Sequence, residues 1–263
     1  MSIREKFIKL RLEPLTIGVF LIAFTFLLVI VVAIYRSLNP AARLLPDFQS
    51  YSAGAERKTA FISFLEPIVT ARNKKLLEQH AVLEGIAQKV EKGGSSSWAD
   101  RRFLNKLASF YSLDDAKPES EEQVLKKLLN RVDVIPPALV VAQAANESAW
   151  GTSRFAREAN NLFGQWCYKQ GCGLIPRTRT PGSSHEVRSF ANVDESIEGY
   201  FLNINTHKQY ARLREIRQSL RSSGQSVSGA ALADGLLYYS ERREAYVKDI
   251  KNMMRINQKY FSG

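Results

Sequence analysis

Glu147 is the acidic side chain whose surroundings in the sequence point most clearly to chemistry. In the run PALVVAQAANESAWG, Val140, Ala144 and Glu147 recur at steps of four and three, so on a helix the carboxylate extends an otherwise apolar stripe. A carboxyl at the end of such a stripe is only partly hydrated, and desolvation favours its protonated form. That is the form a general acid needs to protonate a leaving oxygen near neutral pH. The opposing reading is a rim carboxylate neutralised by Arg154 or Arg157, and spacing alone leaves both open.

Other chemistries find less support. The three histidines (His80, His185, His207) and two cysteines (Cys167, Cys172) show no recognised metal-ligand spacing, so no metal is expected. No glycine-rich phosphate loop follows a strand, and no cofactor is expected. Three acids follow on the C-terminal side. Asn192 with Glu195 three residues on forms a capping-box pattern, which accounts for Glu195 structurally. Asp194 suits a first helical turn and Glu198 a solvated face, so neither requires a catalytic role.

The elements that must position Glu147 are mostly helical. Pro137 suits the first turn of its helix and Gly151 the exit. Upstream, residues 57–132 read as a helical region. There Phe61, Phe64, Leu65 and Ile68, then Leu76, Leu77, Leu83, Ile86 and Val90, recur at helical steps, and Pro67 is expected to kink or restart the helix. Ser97 with Asp100 marks a capped start for a helix carrying Trp98, Leu104, Leu107 and Tyr111. Residues 165–190 are rich in Gly, Pro, Thr and Ser with a β-prone end, as a small hairpin lobe would be. Helices resume from Asn192. The fold class expected is α+β, mostly α, with the catalytic domain over residues 133–263.

The N-terminus addresses the compartment. From Leu15 to Tyr35 there are 21 residues without charge, long enough for a transmembrane helix and too long for the apolar part of a cleaved signal peptide. Arg4, Lys6, Lys9 and Arg11 precede the run while only Arg36 and Arg43 follow closely, which places residues 1–14 in the cytoplasm. Residues 36–56 then read as a tether, and everything beyond Arg36 as exported to the periplasm. In that oxidising compartment Cys167 and Cys172 are expected to form a disulfide. The formal charge of +11 is compatible with an anionic polymer, an anionic lipid surface or nucleic acid. Arg and Lys are scattered without a zinc-finger spacing or a basic aromatic run, so nucleic acid is not expected.

Glu147-Ser148-Ala149-Trp150-Gly151-Thr152-Ser153 followed by Asn160-Asn161-Leu162-Phe163-Gly164 resembles the signature of the glucosaminidase family of peptidoglycan hydrolases, and its Bax-type members most closely. The resemblance runs from about Leu45 to the C-terminus and takes in Arg131-Val132-Asp133-Val134-Ile135-Pro136 and Asn203-Ile204-Asn205-Thr206-His207. It implies a lysozyme-like fold, hydrolysis of the β-1,4 bond on the reducing side of N-acetylglucosamine, and Glu147 as the catalytic acid. Family members often add a second carboxylate from the β-lobe, where this chain offers only Glu186. The expectation for Glu186 is a secondary, water-orienting role, with pairing to Arg188, or exposure to solvent, as the alternatives. Phe163, Trp166, Tyr200, Tyr239 and Tyr246 could present ring faces to sugars. Tyr200, Phe163, Asn161 and Tyr246 are the substrate-binding residues expected. Two other functions share these features, a lytic transglycosylase and a non-catalytic peptidoglycan-binding scaffold. Against the first, its usual Gly-Leu-Met-Gln element is replaced here by Asn161-Leu162-Phe163-Gly164.

Overall fold

The uncharged N-terminal run forms one helix, α1 (Pro14–Leu38). Its side chains are described over residues 20–32, all of them exposed. Among the described residues no helix is long and apolar enough to cross a membrane. An apolar helix therefore covers the expected span of residues 15–35, and a membrane crossing is not shown. This computed structural model describes residues 14–38, 43–113, 120–177, 182 and 184–261. The chain divides into two compact units, Met1–Ala42 and Arg43–Gly263.

In the second unit the chain begins by packing rather than tethering. Asp47 accepts a hydrogen bond from Gln49 N at 3.0 Å and caps a 3-10 turn, Phe48–Ser50. That turn drives Phe48 into the core against Phe61, with ring centroids 5.2 Å apart. Arg43 forms a two-point ion pair with Asp194, Nε to Oδ2 at 2.9 Å and Nη2 to Oδ1 at 2.6 Å. Residues 43–56, expected as part of a tether, thus belong to the folded unit. Apolar and planar ionic contacts of this kind are invisible to a reading based on local proline content.

Helix α2 (Ala55–Glu91) runs through Pro67 without ending, contrary to the expected restart. The buried residues Phe61, Ile62, Leu65, Ile68 and Val69 flank the proline on both sides, and tertiary packing overrides its local cost. Helix α3 (Trp98–Phe110) starts at the expected capping box, with Ser97 and Asp100 bonding each other's backbone N–H. Helix α4 (Glu121–Arg131) starts at a second one, formed by Ser120 and Gln123. Helix α5 (Pro137–Ser148) opens on Pro137 as expected and is buried on nearly every side, which fits an apolar run with no polar face. It packs against α2, and one hydrophobic cluster joins residues 57–132 to those that follow.

After the short helix α6 (Arg154–Ala159) comes a three-stranded antiparallel sheet, β1 (Trp166–Cys167), β2 (Gly173–Leu174) and β3 (Glu186–Arg188), in the order β1-β3-β2. Its register sets Cys167 opposite Glu186 and Leu174 opposite Val187. The small lobe expected over residues 165–190 is thus present, and with the helices it makes the fold α+β, mostly α. Helices α7 (Val193–Thr206), α8 (Ala211–Ser222), α9 (Gly229–Ala233) and α10 (Glu244–Asn257) complete the unit, with α9 and α10 closing over α5.

A buried charge cluster fixes the entry to α5. Asp133 accepts Arg221 Nε at 2.6 Å and lies 3.4 Å from Arg217 Nε. Arg217, fully buried on α8, also donates to the carbonyls of Asn130 and Val134 and to Asn205 Oδ1 at 2.8–2.9 Å. Burial lowers Arg217 to about 10. Burial would raise the Asp133 carboxyl, but the Arg221 hydrogen bond and the two guanidinium charges outweigh it and hold it below its ordinary value. A buried charge is tolerated only when paired and hydrogen-bonded in this way.

Candidate active site

The turn after α5 presents Glu147. Ala149 terminates the helix in the left-handed region, and Trp150 and Gly151 continue there at φ 60° and 78°. Ser148 ties this turn together, donating to Ala144 O at 2.6 Å and accepting from Gly151 N at 2.8 Å. Gly151 was legible as a helix exit; the two preceding left-handed residues, neither of them glycine, were not. They persist because packing holds them, with Trp150 edge-on to Phe61 at 5.7 Å.

The Asn160–Gly164 motif builds the turn that faces Glu147. Asn160 caps α6 in the left-handed region and donates to Phe190 O at 3.0 Å. Asn161 is buried and spends its whole amide on backbone. Its Nδ2 donates to Gln165 O at 2.9 Å and Arg188 O at 2.8 Å, and its Oδ1 accepts from Gln165 N at 3.0 Å. Asn161 therefore shapes the wall rather than offering its side chain to a ligand. A β-carbon built on Gly164 would lie 3.9 Å from Glu147 Oε2, which places this backbone beside the carboxylate.

Glu147 lies on the wall of a cleft of about 820 Å³. Trp166, Tyr168 and Tyr238 line it with exposed rings, while Gln165, Arg188 and Asn203 supply polar edges. Among the described lining residues Glu147 is the one carboxylate. Its Oε1 accepts from Asn146 Nδ2 at 3.1 Å. Arg154, one of the neutralising candidates, instead pairs with Glu158 at 3.5 Å and donates to Ile175 O.

Behind the carboxylate stands a nest of phenols. Tyr239 donates to Phe163 O at 2.9 Å and stacks on Tyr246 with centroids 5.3 Å apart. Tyr200 stacks on Phe163 at 4.2 Å. Burial, then the neighbouring charges of Tyr210 and Glu147, raise Tyr200 well above its ordinary value. Tyr210 is pushed up to about 12, first by burial, with the charge of Glu147 adding to it. Tyr239 and Tyr246 are raised by the same causes, burial first. All four phenols are therefore neutral donors over the physiological range.

The expected sugar contacts divide accordingly. Phe163 and Trp166 line the cleft, as does Tyr239. Tyr200 and Tyr246 are buried beside it, tied to Gln143, and do not line it. Tyr168, Tyr210, Tyr238 and Asn203 do line it, and sequence reasoning missed them. Tyr238 carried a signal, since it directly precedes Tyr239, a ring already considered for sugars, and Asn203 opens one of the resembling segments.

Glu186, expected to orient water, is placed by the structure against the loop of the small lobe. Its Oε1 accepts Gly171 N at 3.0 Å and its Oε2 accepts Gly173 N at 2.8 Å, so the carboxylate braces the loop that carries Cys172. It is buried at 6% exposure and is not among the cleft-lining residues. The Arg188 guanidinium lies 4.9 Å from the Phe190 ring centroid. Cys167 and Cys172 form a disulfide, as expected. Their sulfurs and a Glu186 oxygen lie within 4.8 Å of one another, but as a disulfide the sulfurs offer no thiolate to a metal.

The comparisons with known proteins agree with this arrangement. The glucosaminidase family model, described as mannosyl-glycoprotein endo-beta-N-acetylglucosaminidase, matches residues 122–259 and so contains both Glu147 and the cleft. The chain is 34% identical over 229 residues to Protein bax of Escherichia coli (strain K12), covering 87% of this chain and 80% of that protein. No solved structure matches. On the extent of both matches, the chain belongs to the glucosaminidase family, as a Bax-type member.

Proposed function

We propose that the protein is an endo-β-N-acetylglucosaminidase that cleaves peptidoglycan glycan strands, with Glu147 as general acid. Family membership makes it a glycosidase-type, peptidoglycan-related hydrolase. The observation carrying the finer reading is that one carboxylate among the described lining residues, Glu147, lies on the wall of an aromatic-lined cleft whose other polar side chains include Gln165, Asn203, His207 and Arg188. Ring faces of Trp166, Tyr168 and Tyr238 suit the apolar faces of pyranoses, and Gln165 and Asn203 suit their hydroxyl and acetamido groups. Glu147 then protonates the departing glycosidic oxygen as the C1–O bond breaks.

Among the described residues no second carboxylate lines the cleft, and Glu186 is engaged by backbone. We therefore assign the stabilisation of the sugar cation to the acetamido group of the substrate itself, with water completing the hydrolysis. The test is digestion of purified sacculi, borohydride reduction and mass spectrometry of the new ends. N-acetylglucosaminitol ends support the reading. N-acetylmuramitol ends refute it, and anhydro-muramic ends convert it to a lytic transglycosylase.

With this goes a location. The uncharged run of residues 15–35 and the preceding Arg4, Lys6, Lys9 and Arg11 support a single-pass inner-membrane anchor, with residues from Arg43 onward in the periplasm. The Cys167–Cys172 disulfide is in keeping with that compartment. Resistance of the full chain to alkaline carbonate extraction, together with labelling of an introduced cysteine near Ser52 by a membrane-impermeant reagent in intact spheroplasts, supports it. Release by carbonate contradicts it.

A further inference from the structure

Arg188 is the one lysine or arginine among the described residues that line the cleft, as Glu147 is the one carboxylate. Its backbone is pinned on both sides. The N–H donates to Gln165 O at 2.9 Å, and the carbonyl accepts Asn161 Nδ2 at 2.8 Å. Its guanidinium rests 4.9 Å from the centroid of the Phe190 ring. Phe190 is itself buried against α7, where a β-carbon on Gly199 would stand 3.1 Å from the ring and 2.9 Å from Gln165 Oε1. Strand and ring thus hold a cation at the cleft wall. Among the described residues this guanidinium forms no ion pair, whereas Arg154, beside the lining residue Phe155, pairs with Glu158.

We propose that Arg188 is a specificity-determining residue that binds a carboxylate carried on the muramic acid units of the strand. This rests on the reading of the cleft as a peptidoglycan glycosidase site. A guanidinium presents a planar fork of N–H donors that matches a carboxylate at two points, and it cannot lose its charge. The substrate supplies the partner. The glucosamine units of a strand carry only neutral hydroxyl and acetamido groups. Each muramic acid unit adds a lactyl ether ending in a carboxyl group, which is free in a strand stripped of peptide. In an intact strand it is amide-linked to a peptide with carboxylates of its own. The anions offered to Arg188 therefore belong to muramic acid or to its peptide.

The placement of Arg188 agrees with this. Asn161 binds the carbonyls of both Gln165 and Arg188, and the turn between Asn161 and Gln165 contains Gly164, whose β-carbon position is 3.9 Å from Glu147 Oε2. One turn thus sets the acid and anchors the strand that bears the cation. The bond broken in the proposed reaction joins a glucosamine to a muramic acid, so every productive complex brings a muramic acid unit beside the acid. A homopolymer of N-acetylglucosamine would offer Arg188 nothing, and the cleft would discriminate against it.

The test compares carboxylate-bearing substrates with their neutral counterparts, using the full-length protein. One pair is intact sacculi and sacculi whose carboxyls have been capped as amides. The other is amidase-stripped strands and the same strands with the lactyl carboxyl reduced to an alcohol. Arg188→Gln should raise KM about tenfold on at least one carboxylate-bearing substrate, with kcat and all values on its neutral counterpart within about twofold. An effect on intact sacculi assigns the peptide carboxylates, and one on stripped strands assigns the lactyl group. Arg188→Lys keeps the charge but loses the fork and should recover part of the affinity. Arg101→Gln removes the same charge from an exposed position on α3 outside the cleft and should change none of these values. An unchanged KM in folded Arg188→Gln, or a rise as large on the neutral substrates, overturns the proposal. Should Arg188→Gln fail to fold, the unaltered protein carries the test, since a KM indifferent to neutralisation of the substrate also overturns it. If digests by the unaltered protein give no N-acetylglucosaminitol ends, the reading of the site fails instead, whatever the KM values.

Discussion

Gly151 and Phe48 approach so closely that a β-carbon on the glycine would stand 2.4 Å from the phenylalanine ring. The contact binds the start of the folded unit to the turn that presents Glu147, across about a hundred residues of sequence. Phe48 is in turn held by Phe61 and Phe64. The active-site turn thus rests on an aromatic buttress from outside residues 133–263.

Gly151→Ala should therefore be severely destabilising. It adds a clash to a backbone at φ 78°, and overpacking of about 1–3 kcal/mol combines with a left-handed strain of about 1 kcal/mol. Urea denaturation followed by circular dichroism checks this. A midpoint equal to that of the unaltered protein would mean that the turn yields freely and the buttress is unimportant.

Asp133→Asn leaves Arg217 buried beside a neutral partner and should cost about 3 kcal/mol at neutral pH. The pH dependence has a definite sign. The Asp133 carboxyl is held below its ordinary value in the folded protein, so its stabilisation is fully present above about pH 4 and is lost as pH falls through the folded-state value. Comparing urea midpoints of the two proteins at neutral pH and in acid should show the gap narrowing in acid. A gap that is constant with pH would argue against the ion pair as its source.

Glu186→Gln replaces one acceptor oxygen with an NH2 group, so only one of Gly171 N and Gly173 N keeps its acceptor. The expected effect falls on the lobe. The Cys167–Cys172 disulfide should be reduced faster by dithiothreitol, while kcat stays within about threefold of the unaltered enzyme. Mass-tagging of released thiols over time follows the first quantity. A loss of kcat as deep as that of Glu147→Gln would restore Glu186 to the chemistry.

Trp166 is 56% exposed on the cleft wall and stacks on His185, with centroids 4.0 Å apart. Trp166→Ala should raise KM for sacculi by about tenfold and leave kcat within about threefold, as expected for a residue that binds ground state and transition state alike. A fall in kcat at unchanged KM would place the ring nearer the bond being broken.

The sequence disclosed those features that depend on local chemistry. Pro137 at the start of α5, the Ser97–Asp100 box and the Gly- and Pro-rich lobe are each set by neighbours a few residues away. Glu147 was legible because it extends an apolar stripe and sits in a motif. What was hidden depends on contacts distant in sequence. The task of Glu186 is defined by two backbone amides of a loop, and the task of Asn161 by the carbonyls of Gln165 and Arg188. Tyr200 and Tyr246 looked like cleft residues because they resemble family tyrosines. Only the packing of α7 and α10 on α5 shows them tied to Gln143 behind the acid.

The most direct test of the central claim is sacculus digestion by Glu147→Gln, measured as release of reducing ends beside a circular dichroism spectrum of the same preparation. The swap is nearly isosteric, so the spectrum should match that of the unaltered protein, while turnover should fall below about one hundredth because the proton donor facing the cleft is gone. A folded Glu147→Gln protein retaining more than about one tenth of the activity would contradict the assignment of Glu147 as the general acid.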